Sequence, residues 1–293
     1  MRTELINVKA TDNTVHQGML FEPEKQASSI IIHIHGMAGN FYENTFIPVM
    51  AKNYTEQGVA FLTCNNRGHD YICDCKKIDG NTTASYKAGA AYELIEDSLF
   101  DIKGAIAFAL ERGYHDIILQ GHSSGANKTV YSMAQSELGV RKVILLSPCD
   151  DIGIHLDDCG EGQRDANIKL ARSYVEAGTP DKMMPDGTFF DYLLSAKTYL
   201  DCFQDGSALD TFPYRTPNAS FDALRKVEGS VLVTFGDTNE YLLQDPTDIK
   251  ALLQSKLNSS AMLTFRVLTG ASHSYQGKES NLTTTVIEWL KSL

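Results

Sequence analysis

Gly121-His122-Ser123-Ser124-Gly125 is the stretch of this chain whose residue types and spacing most directly imply chemistry. Asp116-Ile117-Ile118-Leu119-Gln120 before it reads as a buried strand, and Ala126-Asn127-Lys128-Thr129-Val130-Tyr131 after it reads as a helix. A serine in a Gly-x-Ser-x-Gly turn between strand and helix is held exposed, as a nucleophile must be. The glycines have a steric purpose. The serine takes strained backbone angles, and strand and helix then approach too closely for a Cβ two residues to either side. The turn also sets Ser123 at a helix N-terminus, where free N–H groups and the helix dipole favour a developing oxyanion. The alternative, a serine in an ordinary Gly/Ser loop, fits the five residues but not their strand and helix flanks. The implied chemistry is attack of a hydroxyl on a carbonyl, assisted by a general base elsewhere in the chain.

The elements that would position such a site follow from the hydrophobic pattern. Glu4 to Val8 and Thr14 to Phe21 read as two strands around a polar turn at Thr11-Asp12-Asn13. Ile30-Ile31-Ile32-His33-Ile34 and Val59-Ala60-Phe61-Leu62-Thr63 are short, nearly continuous apolar runs, as in parallel strands covered on both faces. A helix is expected around Thr45 to Gln57. From Ala91 to Arg112 apolar residues recur at Ile95, Leu99, Ile102, Ile106 and Leu110, the stripe of an amphipathic helix that Gly113 ends. Lys142 to Ser147, Ser230 to Phe235 and Met262 to Leu268 read as further strands. Helices are expected near Asp248 to Leu257 and from Thr283 to the end. The alternation predicts an α/β fold, a mostly parallel sheet with helices on both faces. Between Ile152 and Arg225 the rhythm breaks into helix-like stretches (Ala166 to Ala177, Tyr192 to Phe203) with many aromatics and Pro/Gly/Asp-rich turns. That segment is read as a cap inserted into the core rather than as ordinary connecting helices. The expected organisation is a core of residues 1–151 and 227–293 interrupted by a cap at 152–226.

With these elements in place the chain resembles the α/β-hydrolase superfamily over almost its whole length outside the cap. Three landmarks in order carry the resemblance: His35-Gly36-Met37-Ala38-Gly39 after the early strand, the serine turn, and Gly270-Ala271-Ser272-His273-Ser274 after the last strand. Asn65-Asn66-Arg67-Gly68-His69-Asp70 adds a narrower similarity to small cytoplasmic esterases related to siderophore esterases. The resemblance implies an eight-stranded sheet and a Ser…Asp/Glu…His order. Ser123 is then the nucleophile and His273 the general base, with the N–H groups of Met37 and Ser124 forming the oxyanion hole. The acid departs from the pattern. In Gly236-Asp237-Thr238-Asn239-Glu240 the superfamily's aspartate position is Asn239. An asparagine orients a neutral imidazole but cannot stabilise imidazolium by charge. Asp237 is the favoured acid, with Asn239 as an orienting residue, Glu240, and Asp150 or Asp151 as rivals.

Composition narrows the function classes. The 293 residues, 43% of them hydrophobic, suffice for one large catalytic unit with an insertion. A formal net charge of −11, from 26 basic and 37 acidic residues, argues against nucleic acid or an anionic membrane as the main partner. The start lacks an apolar signal region and no apolar run approaches bilayer-spanning length, so cytoplasm is the expected compartment. Six cysteines in a chain this long are expected as reduced thiols. Cys73-Asp74-Cys75 beside His69 and Asp70 is short enough to chelate. No second pair at zinc-like spacing accompanies it, so a thiol-bearing loop without metal is the expectation. Monomer and homodimer both stay open. The expected activity is cofactor-independent cleavage of a carboxylic ester, thioester or lactone of a small, partly apolar or aromatic substrate. The rival is a protein of the same fold that binds, isomerises or transfers acyl groups, and Asn239 keeps that rival in play.

Overall fold

The apolar runs assemble into one twisted sheet of ten strands in a computed structural model, which describes residues 1–216 and 218–293. In chain order the strands are β1 (Arg2–Lys9), β2 (Thr14–Glu22), β3 (Ser29–Ile34), β4 (Ala60–Cys64), β5 (Cys73–Asp79), β6 (Thr82–Ala88), β7 (Asp116–His122), β8 (Lys142–Leu146), β9 (Ser230–Gly236) and β10 (Met262–Leu268). Their order across the sheet is β10-β9-β8-β7-β3-β4-β2-β5-β6, with β1 paired to β2. The strands from β10 to β4 run parallel, and β1, β2, β5 and β6 pair antiparallel.

The parallel strands are buried on both faces, and alternation deals their side chains between two cores. Ile30, Ile32, Leu119, Val143, Leu145, Val231 and Val233 point into one, beneath α2 (Ser98–Glu111), α3 (Ser124–Gln135) and α6 (Pro246–Lys256). Ile31, Ile118, Ile144, Leu146 and Leu232 point into the other, beneath α1 (Phe46–Glu56) and α7 (Glu279–Lys291). Helices therefore cover both faces, as the strand–helix alternation predicts.

Three elements differ from the expectations. The sheet has ten strands rather than eight because residues 73–88 fold into the hairpin β5–β6, with Gly80 at φ 57° in its two-residue turn. The helix expected from Ala91 begins at Ser98, after a 3₁₀ turn at Ile95–Asp97. Upstream, the Ser195 N–H donates to Ala91 O at 2.7 Å and the buried Glu93 carboxylate pairs with Lys128 Nζ at 2.6 Å. Those tertiary partners hold residues 91–94 out of the helix. Between β8 and β9 lie α4 (Asp151–Glu176), broken at Gly160 (φ 76°, ψ 159°), and α5 (Ala196–Phe203). They enclose an apolar cluster of their own, with Phe189, Leu194, Tyr199 and Phe203 at its centre. Among the described residues, no helix is long and apolar enough to cross a membrane.

Candidate active site

Ser123 sits between β7 and α3 at φ 57°, ψ −135°, a region that L-residues avoid and that persists only where surrounding structure enforces it. The enforcement is steric and hydrogen-bonded. A Cβ at Gly121 would collide with the Gly125 backbone, and one at Gly125 would collide with the Ile34 carbonyl. The Ser123 N–H donates to Leu146 O at 2.9 Å, tying the turn to the neighbouring strand end. From the loop after β3, Gly36 approaches so closely that a Cβ there would lie 2.9 Å from Ser123 Cβ.

That loop is set by a histidine rather than by glycine alone. His35 is fully buried, and its Nε2 accepts the Asn66 N–H at 2.9 Å. The proton must then be on Nδ1, which donates to Gly36 O at 2.8 Å. Burial, reinforced by the Lys128 charge, pushes the His35 pKa well down and keeps the ring neutral. Among the described residues, neither the Met37 nor the Ser124 N–H has an acceptor within the chain.

Ser123, His273, Met37, Glu240 and Asp151 line one cavity of about 230 Å³, with Cys149, Phe189, Phe190, Tyr192 and Tyr241 also in its wall. His273 is held by its main chain. Its N–H donates to Glu240 Oε2 at 3.1 Å, and its carbonyl accepts from His122 Nε2 at 3.0 Å and Ser147 Oγ at 3.2 Å. Its ring meets Tyr241 edge-on at 4.8 Å between centroids. His273 Nδ1 is buried without a hydrogen-bond partner. Burial, and to a lesser degree His122, pushes the His273 pKa well below the usual histidine range. In this structure Ser123 Oγ contacts Cys149 Sγ at 3.8 Å and makes no hydrogen bond to the imidazole.

The favoured acid is not beside the histidine. Asp237 is exposed, and its Oδ1 accepts the Gly270 N–H at 2.6 Å, so its carboxylate bridges two loops instead of reaching His273. Asn239 turns inward on its own loop, with Oδ1 accepting the Tyr241 N–H at 2.9 Å. Glu240 is the candidate acid that touches His273. Asp150 is spent capping α4, accepting from Gly153 N at 2.7 Å and from Arg215 N at 2.8 Å. Asp151 faces the cavity with one carboxylate oxygen buried and unpartnered, and burial next to Asp150 pushes its pKa up to about 7. Ser124 lies behind the nucleophile, with its side chain buried outside the cavity wall.

Two buried residues near the turn carry no role in the sequence reading. Cys149 follows β8 in a Ser-Pro-Cys segment whose types give no catalytic signal, yet its buried thiol lies against Ser123 and donates to Ser147 O at 3.3 Å. Lys128, which reads as a polar helix residue, is fully buried behind the turn in its ion pair with Glu93. The buried partner, far away in sequence, carried no local pattern.

Solved structures align with this fold over nearly the whole chain. Est1E from Butyrivibrio proteoclasticus, solved with ferulic acid bound, aligns at 18% identity and TM-score 0.65 over 97% of this chain and 98% of its own. The siderophore hydrolase EstB from Aspergillus fumigatus aligns at 14% identity and TM-score 0.69 over 99% and 98%. The α/β hydrolase GrgF from Penicillium sp. sh18 aligns at 15% identity and TM-score 0.67 over 100% and 99%. The chain has the α/β-hydrolase fold. No protein-family model matches the sequence, and a search of curated proteins finds no match.

Proposed function

We propose that this chain is a serine hydrolase that cleaves a carboxylic ester, with thioesters and lactones within reach of the same chemistry. The observation that carries the reading is Ser123, held at a strained strand–helix turn in the wall of the cavity that His273 also lines. A rotation of Ser123 about χ1 takes Oγ from Cys149 toward the imidazole. Such bonds are often unformed without substrate and tighten on binding. Nε2 of His273 then takes the Oγ proton as Oγ bonds to the carbonyl carbon. The carbonyl electron pair moves onto oxygen, where the Met37 and Ser124 N–H groups receive it. Collapse breaks the bond to the leaving alcohol, which takes the proton from His273. Water repeats the sequence and frees the acid and the serine.

Glu240 is the residue we assign to the role of acid, because its carboxylate holds the His273 main chain and lines the same cavity. Residues 152–226 act as the cap. Their Phe189, Phe190 and Tyr192 give the cavity an aromatic wall, which supports an apolar or aromatic acyl or alcohol part. Turnover of a panel of short-chain and aroyl esters tests the reading, with competing alcohol or amine acceptors present. Free acid as the product supports hydrolysis. One observation favours a second reading, an acyl-transferring or binding protein: His273 Nδ1 has no carboxylate partner. Transfer product in place of acid, or no turnover of any ester by folded protein, selects it.

A further inference from the structure

The antiparallel edge of the sheet gathers four metal-binding side chains that the serine chemistry does not use. Cys73 and Cys75 lie two apart on β5 and so share one face of the strand. A ring nitrogen of His69 and the two Sγ atoms all lie within 4.8 Å of one another. The pairing of β2 with β5 runs Thr14 opposite Lys77 and Val15 opposite Lys76, which brings His16 to the level of Cys75. The Cys75 thiol lies against both imidazoles, and His16, His69 and Cys75 border one cavity of about 380 Å³. None of the four lines the Ser123 cavity.

Two independent features mark the cluster as built to hold a cation. His16 is 2% exposed, and its buried Nδ1 makes no hydrogen bond of ordinary geometry, with only the Cys75 thiol lying against the ring, a costly state for a polar atom. Each imidazole also has its other nitrogen engaged by a carboxylate: His16 Nε2 with Asp101 Oδ1 at 3.0 Å, and His69 Nδ1 with Asp70 Oδ2 at 2.9 Å. A carboxylate behind the ring fixes the tautomer and aims the free nitrogen, the usual support of a metal-bound histidine. Asp101 is itself fixed by Arg67 at 2.7 Å.

We propose that His16, His69, Cys73 and Cys75 bind one zinc-class divalent cation in a tetrahedral two-thiolate, two-imidazole site. Zinc suits this donor set, since thiolate and imidazole ligands in fourfold coordination are its preferred partners. Binding deprotonates both thiols, so two protons leave as two metal–sulfur bonds form. The cation fastens the β5–β6 hairpin to β2. Asp70 carries the connection onward: its N–H donates to Gly39 O at 3.1 Å and its Oδ1 accepts from Asn40 at 2.9 Å, at the end of the loop beside Ser123. The sequence reading set the Cys-x-Cys aside because no second pair at zinc-like spacing accompanies it; His16 is remote in sequence and arrives only through strand pairing.

The test is metal content of the full chain, purified without chelator from zinc-supplied cells, by inductively coupled plasma mass spectrometry. We expect about one zinc per chain in the wild type and background levels in Cys73→Ser and Cys75→Ser. In case those variants misfold, chelator-stripped wild type whose circular dichroism stays native is titrated with cobalt(II). The expected spectrum has thiolate-to-cobalt charge transfer and the strong visible bands of tetrahedral cobalt. Folded wild type that carries no stoichiometric zinc and gives only a weak octahedral cobalt spectrum overturns the proposal. So does a Cys73–Cys75 disulfide in the isolated protein, seen as loss of a pair of hydrogens in non-reducing intact mass. Activity is not the readout, so failure of the esterase reading leaves this result standing.

Discussion

Replacing Glu240 by Gln is the sharpest probe of how His273 is made a base. Gln keeps a side-chain oxygen that can accept the His273 N–H, now received by Glu240 Oε2 at 3.1 Å, and removes only the charge. The Glu240 side chain is exposed, so solvent screens its charge, which favours the imidazolium by about 1 kcal/mol. Its loss should slow acylation by roughly fivefold. Asp237→Asn removes an exposed, solvent-screened carboxylate that faces Gly270, and is expected to change the rate by less than about threefold. The assay is single-turnover acylation with a chromogenic ester, which isolates the step in which imidazolium forms, with circular dichroism confirming the fold of each variant. A Glu240→Gln rate equal to that of wild type, beside a larger loss in Asp237→Asn, would refute the assignment.

Because burial holds the His273 pKa well below 6.5, the base stays neutral in mild acid. The acid limb of kcat/KM for a short ester, followed in Asp151→Asn to remove the other cavity titration, should therefore lie below pH 6.5; an inflection at or above 6.5 contradicts this. Asp151 has a folded pKa of about 7 against an ordinary 3.8, so the folded chain keeps a proton that the unfolded chain releases. Its contribution to stability falls as pH rises from about 4 to about 7 and is level above that. Urea melts should show Asp151→Asn gaining on wild type across that window, and parallel curves would refute it. Lys128→Met leaves Glu93 charged and buried, and should cost about 3–5 kcal/mol by the same melts, with Lys128→Met/Glu93→Leu recovering a substantial part. A single variant as stable as wild type would remove the pair from the account of the turn.

The fold was legible wherever burial writes itself into local pattern. Ile30 to Ile34 and Ser230 to Phe235 are apolar runs because both faces of those strands are covered, and the structure has β3 and β9 there. The Gly-x-Ser-x-Gly turn was legible because its glycines answer a local steric demand. The hairpin β5–β6 was not, since its mostly exposed strands are rich in lysine, threonine and aspartate and show no apolar run. The Gly80-Asn81 pair of its turn was its one cue. The placement of the acid candidates was illegible for another reason. Asp237, Asn239 and Glu240 are within one turn, and only the backbone path decides which of them faces His273. Asp237 faces Gly270, Asn239 caps Tyr241, and Glu240 accepts the His273 main-chain N–H. Pairings between remote segments, such as Lys128 with Glu93, His35 with Asn66 and His16 beside Cys75, carry no spacing that a single sequence could reveal.

The most direct measurement is reaction of the folded protein with a fluorophosphonate, followed by intact mass and peptide mapping. A competent nucleophile gives one adduct per chain, mapped to Ser123, absent in Ser123→Ala and strongly slowed in His273→Ala. Folded wild type that stays unmodified, or an adduct that persists in Ser123→Ala, would contradict it.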